Sequence, residues 1–482
     1  MALPRLLWLG LAALLPLVTT RAAADPPAAA PFVFKDVGDE TGVAAQLAGV
    51  RGHGAAWGDA DGDGWLDLYV GTFAAGAGPN RFLRNDKGKF RRDDQPALAV
   101  PARTTGVVFA DLDNDGDLDL YSASMPQPKA GLAGCSLLRN DGGGKYTDVS
   151  KDSGACPPAF GGRGACVLDF DGDGRLDLLV GEDPMPGYNG SPTRSTRLFR
   201  NTGGLRFEDV SRAAGIPEGV PGLGVAAADV NNDGWPDLFL ASSVANVLLL
   251  NDGRGMFAEA PGSRAVFAWK DAGGENMVCG VCVADVNRDG LLDVVLGPHY
   301  PAPWLEPVAV RLYLNRGVRD GVPVFEDVTV AVGLTPLGMK APHVELQDLD
   351  NDGWPDLVAS VVKFAAGRPY PVIFRHLGVK DGLPRFRDDA WAVNDYPNAA
   401  DRAVRGSGPQ FEKVLKERRV FYAAAGPTGD YDNDGRLDLF LPSWWAAGRS
   451  LLLRNETPGR NWLRVKVGPA DGVNRMGVGA RV

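Results

Sequence analysis

The chain has 482 residues, with 50 Lys and Arg against 60 Asp and Glu, a formal charge of −10 and 63 glycines. That length holds two or three ordinary domains or one large repeat protein. No basic stripe or reader motif supports nucleic-acid binding, and the glycines fall in turns rather than in a strand-loop-helix phosphate cradle.

Residues 1–24 carry a basic Arg5, an apolar stretch from Leu6 to Val18, and Ala22-Ala23-Ala24 before Asp25. This is the layout of a cleavable export signal. The apolar stretch is shorter than the roughly 20 residues of a membrane span, and no other stretch could cross a bilayer. The chain is therefore expected to be secreted, extracellular or periplasmic, with no transmembrane segment after cleavage. Residues 25–31, rich in Pro and Ala, read as a linker.

From residue 59 onward an Asp-x-Asp/Asn-x-Asp-Gly-x-x-Asp loop is written seven times, each copy running into a short apolar strand. Positions 1, 3, 5 and 9 of the copies are Asp59, Asp61, Asp63 and Asp67; Asp111, Asp113, Asp115 and Asp119; Asp169, Asp171, Asp173 and Asp177. The series continues with Asp229, Asn231, Asp233 and Asp237; Asp285, Asn287, Asp289 and Asp293; Asp348, Asp350, Asp352 and Asp356; and Asp430, Asp432, Asp434 and Asp438. Side chains at positions 1, 3 and 5 of a tight turn converge, position 7 offers a carbonyl, and position 9 returns a carboxylate. This oxygen-only set suits Ca2+, at up to seven sites. The glycine at position 6 permits the bend. An EF-hand would close with Glu at position 12 between helices, whereas here position 12 of the first copy is Val70, in a β-rich run.

The 26 carboxylates of these loops explain the acidity, since seven calcium ions would bring the formal charge to +4. Without ions each loop would repel itself. Asn231 and Asn287 lower the ligand charge of the fourth and fifth copies, which are expected to hold the ion more weakly.

The copies lie 52, 58, 60, 56, 63 and 82 residues apart. Each is followed by a second strand (LDLYV, LDLLV, PDLFL), a variable loop, a third strand such as RFLRND or RLFRNTG, and a fourth such as FEDVS. Four antiparallel strands repeated seven times predict an all-β fold, a seven-bladed β-propeller over residues 32–457. PFVFKDVG reads as a fourth strand without its first three, and the seventh unit lacks a fourth strand, so residues 32–37 are expected to complete blade seven and close the ring.

These repeats resemble the FG-GAP/VCBS repeat proteins, the class whose calcium-loaded propeller forms the head of integrin α subunits; the resemblance covers residues 32–457. Residues 458–482, with Asn461-Trp462-Leu463 and Asn474-Arg475-x-Gly477-x-Gly479-Ala480-Arg481, resemble the opening of the ASPIC/UnbV module that follows such repeats in cartilage-acidic-protein-like secreted proteins. That module normally continues beyond this point, and the chain stops at Val482. The resemblance implies a non-enzymatic extracellular binding or adhesion module.

Five cysteines, Cys135, Cys156, Cys166, Cys279 and Cys282, leave at least one unpaired. A Cys135–Cys156 bridge and unpaired thiols both stay open. Cys279-Gly-Val-Cys282 has redox spacing but sits on a strand, where residues three apart are expected on opposite faces.

With alternating strands, the metal loops share one face of the disk. The opposite, metal-free face collects His53, His299, Tyr300, Trp304, His343, Trp444 and Trp445, together with an insertion at residues 393–419 whose QFEKVLKERR reads as a helix. These residues are the ligand-face candidates. No nucleophile and base can be paired, so no catalytic residue is assigned. The expected function is a calcium-binding monomer presenting this face to an extracellular protein or glycan. The alternative is an exported enzyme or enzyme accessory with a His- and Trp-lined pocket, for which a carboxylate dyad or a His-His-carboxylate set converging near the channel would be the mark.

Overall fold

The computed structural model describes residues 32–73, 76, 78–182, 188–268, 277–299, 307–337, 341–365, 368–388, 421–422, 426–443, 449–458, 461–463, 474, 476 and 478. Seven antiparallel sheets surround an axis, each with a path of four strands. Blade one is Gly52–Gly58, Asp67–Thr72, Arg81–Asp86 and Lys89–Arg92. Blade three, Gly162–Leu168, Asp177–Glu182, Arg197–Gly203 and Arg206–Asp209, repeats the pattern. In blade six a fifth strand, Phe421–Tyr422, pairs with Asp356–Ala365.

Blade seven is assembled from both ends of the repeat region. Phe34–Asp36 pairs antiparallel with Leu451–Asn455, Phe34 facing Asn455. The contact extends beyond the strand: the Glu456 amide donates to the Val33 carbonyl at 2.7 Å and the Val37 amide to that of Leu452 at 2.9 Å. Arg449 adds ion pairs to Asp36 and Asp39.

The second strand of each blade is the most buried because it is covered on both faces; Asp67–Thr72, Asp119–Ser124 and Asp177–Glu182 are buried throughout. The core is a series of clusters between neighbouring blades. Tyr69 and Phe82 of blade one pack with Phe109, Leu120 and Leu138 of blade two, and Phe440 and Leu452 of blade seven pack with Leu68 and Leu83 of blade one. Each fully buried Leu or Phe contributes about 1.5–3 kcal/mol of transfer free energy, and the contribution exists only when the next blade is in place.

The first strands line the axis. There Gly106 and Gly224 allow backbones of successive blades to meet: a Cβ on Gly106 would lie 2.4 Å from the Arg163 carbonyl, and one on Gly224 would lie 1.9 Å from that of Cys279.

The export signal at residues 1–24, the linker at 25–31 and the insertion at 393–419 lie outside the described residues, as does most of 458–482. Of that last segment, Trp462 packs over Gly435 and Met476 Sδ accepts the Asp111 amide at 3.1 Å, both at metal loops. Among the described residues no helix is long and apolar enough to cross a membrane.

Candidate metal centres and central cavity

All seven acidic loops are built by one hydrogen-bond pattern. In blade one the Asp63 and Gly64 amides donate to the two carboxylate oxygens of Asp59, each at 3.0 Å, and the Trp65 amide donates to Asp63 at 2.9 Å. Asp67, at position 9, accepts from the Ala60 amide at 3.3 Å and from the Asn85 amide of the third strand at 2.8 Å. Blade seven repeats this through Asp434, Gly435, Arg436, Tyr431 and Asn455.

Position 4 of every copy has a left-handed backbone, with φ of 74° at Gly62, 60° at Asn114 and 61° at Arg288. This turn is a constraint the sequence reading passed over, although Gly or Asn stands there in six copies.

In five loops three carboxylates bring ligand atoms within 4.8 Å of one another: Asp59, Asp61 and Asp63; Asp111, Asp113 and Asp115; Asp169, Asp171 and Asp177; Asp348, Asp350 and Asp356; Asp430, Asp432 and Asp438. In the remaining two, Asn231 and Asn287 donate to Asp233 and Asp289, both at 2.9 Å. The buried Oδ1 atoms of Asp61, Asp113, Asp171 and Asp432, all at position 3, accept no hydrogen bond.

Burial pushes the position-9 carboxyls upward against the pull of their backbone amides. Asp67, Asp237 and Asp293 reach about 7, Asp119 and Asp177 about 8, and Asp438 about 9. Unsatisfied oxygens and strained carboxyls converging on one point fit a hard cation, which would relieve both.

The third strand adds a charge that the loop motif does not show. The residue before its Asn or His is Arg84, Arg139, Arg200, Arg375 or Arg454 in the five blades with Asp at position 3, and Leu250 or Leu314 in the two with Asn. Arg84 pairs with Asp61 and Asp67 at 3.2 Å, Arg200 with Asp171 at 2.6 Å and Arg375 with Asp350 at 2.6 Å. Arg139 and Arg454 act on Asp113 and Asp432 through space. Counting positions 1, 3, 5 and 9 with this third-strand residue, every site carries −3. The weaker binding expected at Asn231 and Asn287 therefore loses its charge argument.

The residue after that Arg or Leu fastens one blade to the preceding one. Asn201 Nδ2 donates to the Leu112 carbonyl of blade two at 2.7 Å and to Leu176 at 2.9 Å, while its Oδ1 accepts the Gly203 amide at 2.9 Å. Asn85 reaches Tyr431 of blade seven at 2.8 Å, and His376 takes the same place in blade six, 3.0 Å from the Val286 carbonyl.

At the opposite end, a cavity of about 390 Å³ on the axis brings His53, His299 and His343 together with Arg163, Glu345, Cys279 and Cys282. Tyr300, Trp304, Trp444 and Trp445 lie outside the described residues. The cavity walls come from fixed register. The residue six before each first Asp lines it in blades one to six: His53, Thr105, Arg163, Leu223, Cys279 and Pro342.

In four of these blades the register shifts there, between Gly52 and Ala55, Thr104 and Gly106, Gly162 and Ala165, and Val278 and Gly280. A bulge breaks the alternation and re-aims the extra residue. Cys279 and Cys282, expected on opposite faces, line the same cavity, as do Gly280 and Val281 between them, because this first strand is the edge of its sheet and both of its faces reach the axis. None of the five cysteines forms a disulfide, and burial pushes the Cys282 thiol up to about 11.

His343 Nε2 lies 2.9 Å from Glu345 Oε1, and the Thr428 amide donates to Oε2 at 3.1 Å. Burial raises the Glu345 pKa, but the His343 charge and these bonds outweigh it, so the carboxyl lies below its usual range. Among the described residues no three His, Cys, Asp or Glu ligand atoms in the cavity approach within 4.8 Å. The His-His-carboxylate set shares a cavity without forming a metal cluster.

A family profile described as an FG-GAP-like repeat matches residues 59–122, 188–240 and 229–296. The chain carries FG-GAP-like repeats. Each matched stretch holds at least one acidic loop. The chain is 25% identical over 445 residues to cartilage acidic protein 1 of Mus musculus, covering 86% of this chain and 61% of the relative. Against the Homo sapiens protein it is 26% identical over 445 residues, covering 86% and 60%. The chain thus spans about three-fifths of the length of these relatives. Among solved structures, an Agrocybe aegerita lectin that recognises non-reducing terminal N-acetylglucosamine aligns with a TM-score of 0.42 at 18% identity, covering 72% of this chain and 81% of that one.

Proposed function

We propose that this chain is an exported, calcium-stabilised, non-enzymatic binding module whose loops hold Ca2+ on one face and whose opposite face receives an extracellular protein or glycan. The observation that carries the metal half is the set of buried position-3 oxygens, on Asp61, Asp113, Asp171 and Asp432, that accept no hydrogen bond inside converging carboxylates. Positions 1, 3, 5 and 9 of each copy would be the side-chain ligands, with the position-7 carbonyl. The ion supplies charge compensation and cross-links each loop to its second strand, so binding and folding are coupled. The apolar leader at residues 1–24 and the relationship to cartilage acidic protein 1 support export and a binding role. Residues 458–482 are assigned to the start of an ASPIC/UnbV-like module on the motif residues alone.

Thermal unfolding with calcium and with a chelator, alongside metal counting by mass spectrometry, tests this reading. Several ions per chain and a large chelator-induced loss of stability are expected. An unchanged curve with no metal would reduce the loops to acidic turns.

A second reading, an exported enzyme or accessory, is favoured by the His343–Glu345 pair in the cavity. It requires turnover that His343→Gln abolishes while the calcium-dependent melting shift remains.

A further inference from the structure

Arg163 is an unusual residue to find on the axis of this propeller. It is 8% exposed and lines the central cavity. Its side chain donates one hydrogen bond, to Met125 Sδ at 3.9 Å, and among the described residues no carboxylate lies within ion-pair distance. A thioether is a weak acceptor, so the other guanidinium donors are left for whatever occupies the cavity that Arg163 lines.

The neighbouring carboxylates are engaged elsewhere. Glu182, at the far end of the second strand of the same blade, accepts from the Gly161 amide at 3.0 Å and from Ser191. Glu345 is held by His343 and Thr428. The local field is positive: burial, then the charges of Arg163, Arg103 and His299, hold His53 well below the ordinary imidazole range. The space suits a small ligand, since sites for such molecules begin near 300 Å³ and this cavity is about 390 Å³. Its walls combine ring nitrogens with Ala55, Val107 and Ala165.

We propose that the axial cavity binds a carboxylate-bearing ligand of sugar or amino-acid size, with Arg163 as the anchoring cation. A guanidinium and a carboxylate match as a two-pronged pair, and the histidines offer further donors. This deepens the binding reading above and rests on it. The carboxylate could belong to a sugar acid or to an acidic amino acid, and the probes separate these sources.

The test is calorimetric titration of the calcium-loaded full chain with glucuronate and N-acetylglutamate, each against its neutral counterpart, glucose or N-acetylglutamine. At least one acid should bind, with its neutral counterpart at least about tenfold weaker, the loss expected for a charge-assisted hydrogen bond. Arg163→Gln should weaken the acid by at least about tenfold, and Arg163→Lys, which keeps the charge but not the fork, should fall between.

Binding of glucuronate alone assigns a sugar acid, binding of N-acetylglutamate alone assigns an amino acid, and binding of both shows that the carboxylate itself is read; all three support the proposal. No acid binding to the wild type, equal binding of a neutral counterpart, or unchanged binding in both variants overturns it. Calcium-dependent melting of the same samples shows whether each variant is folded. A retained shift with no acid binding defeats this inference alone, whereas loss of the shift in the wild type defeats the metal reading.

Discussion

Asn201→Ala isolates the contact that joins one blade to the next. Asn201 is fully buried and makes three side-chain hydrogen bonds: to Leu112 O at 2.7 Å across the blade boundary, to Leu176 O at 2.9 Å, and from the Gly203 amide at 2.9 Å. At about 1 kcal/mol net for each bond the loss is about 3 kcal/mol, and more if the buried carbonyls stay dry. The backbone amide of residue 201, which donates to Asp177 at 2.7 Å, survives the substitution, so the acidic loop keeps its donor. Denaturant unfolding followed by tryptophan fluorescence, in calcium and in chelator, should show the same loss in both. Thr202→Ala, at the exposed neighbour, should change stability by no more than about 0.5 kcal/mol. A loss at Asn201 below about 1 kcal/mol would refute the reasoning, because it would mean that the carbonyls find water and that packing alone holds the blades.

Arg200→Leu should take the third site from −3 to −4 and tighten its hold on calcium by about 1 kcal/mol, or about fivefold, while Leu250→Arg should loosen the fourth by a similar factor; competition with a chelating dye reads both, and no change in either would remove the charge-balance argument. Asp113→Ala should cost one bound ion and lower the melting temperature in calcium, whereas Asp117→Ala should do neither, since position 7 would offer only its carbonyl. His53 is held below its usual pKa by burial and by nearby cations. As pH falls through 6.5 the unfolded chain therefore takes up a proton that the folded chain resists, and stability is lost at up to about 1.4 kcal/mol per pH unit. Between pH 7 and 5 His53→Gln should have the shallower slope, and parallel slopes would contradict the assignment.

Sequence alone determined the repeat, its four-stranded path and the seven acidic loops, because these are local, although it did not show the fifth strand of blade six. A nine-residue turn closes on its own amides, as Asp59 and Asp169 show, and the residues that bend it must lie inside it. The pairing of position 3 with the third-strand Arg or Leu was also written in the sequence, 19 to 29 residues away, but the strands had to be brought together before Asp171 and Arg200 could be read as partners. Tertiary structure alone decided the cavity. Strand alternation would have separated Cys279 from Cys282 and given no reason to choose Arg163. The inner strands turn a sheet edge to the axis, so residues of both faces reach it, and only the arrangement of blades around the axis places residues far apart in sequence, His53, Arg163 and Glu345, around one space. Alternation is a property of one strand, whereas the shape of a channel belongs to all seven blades at once.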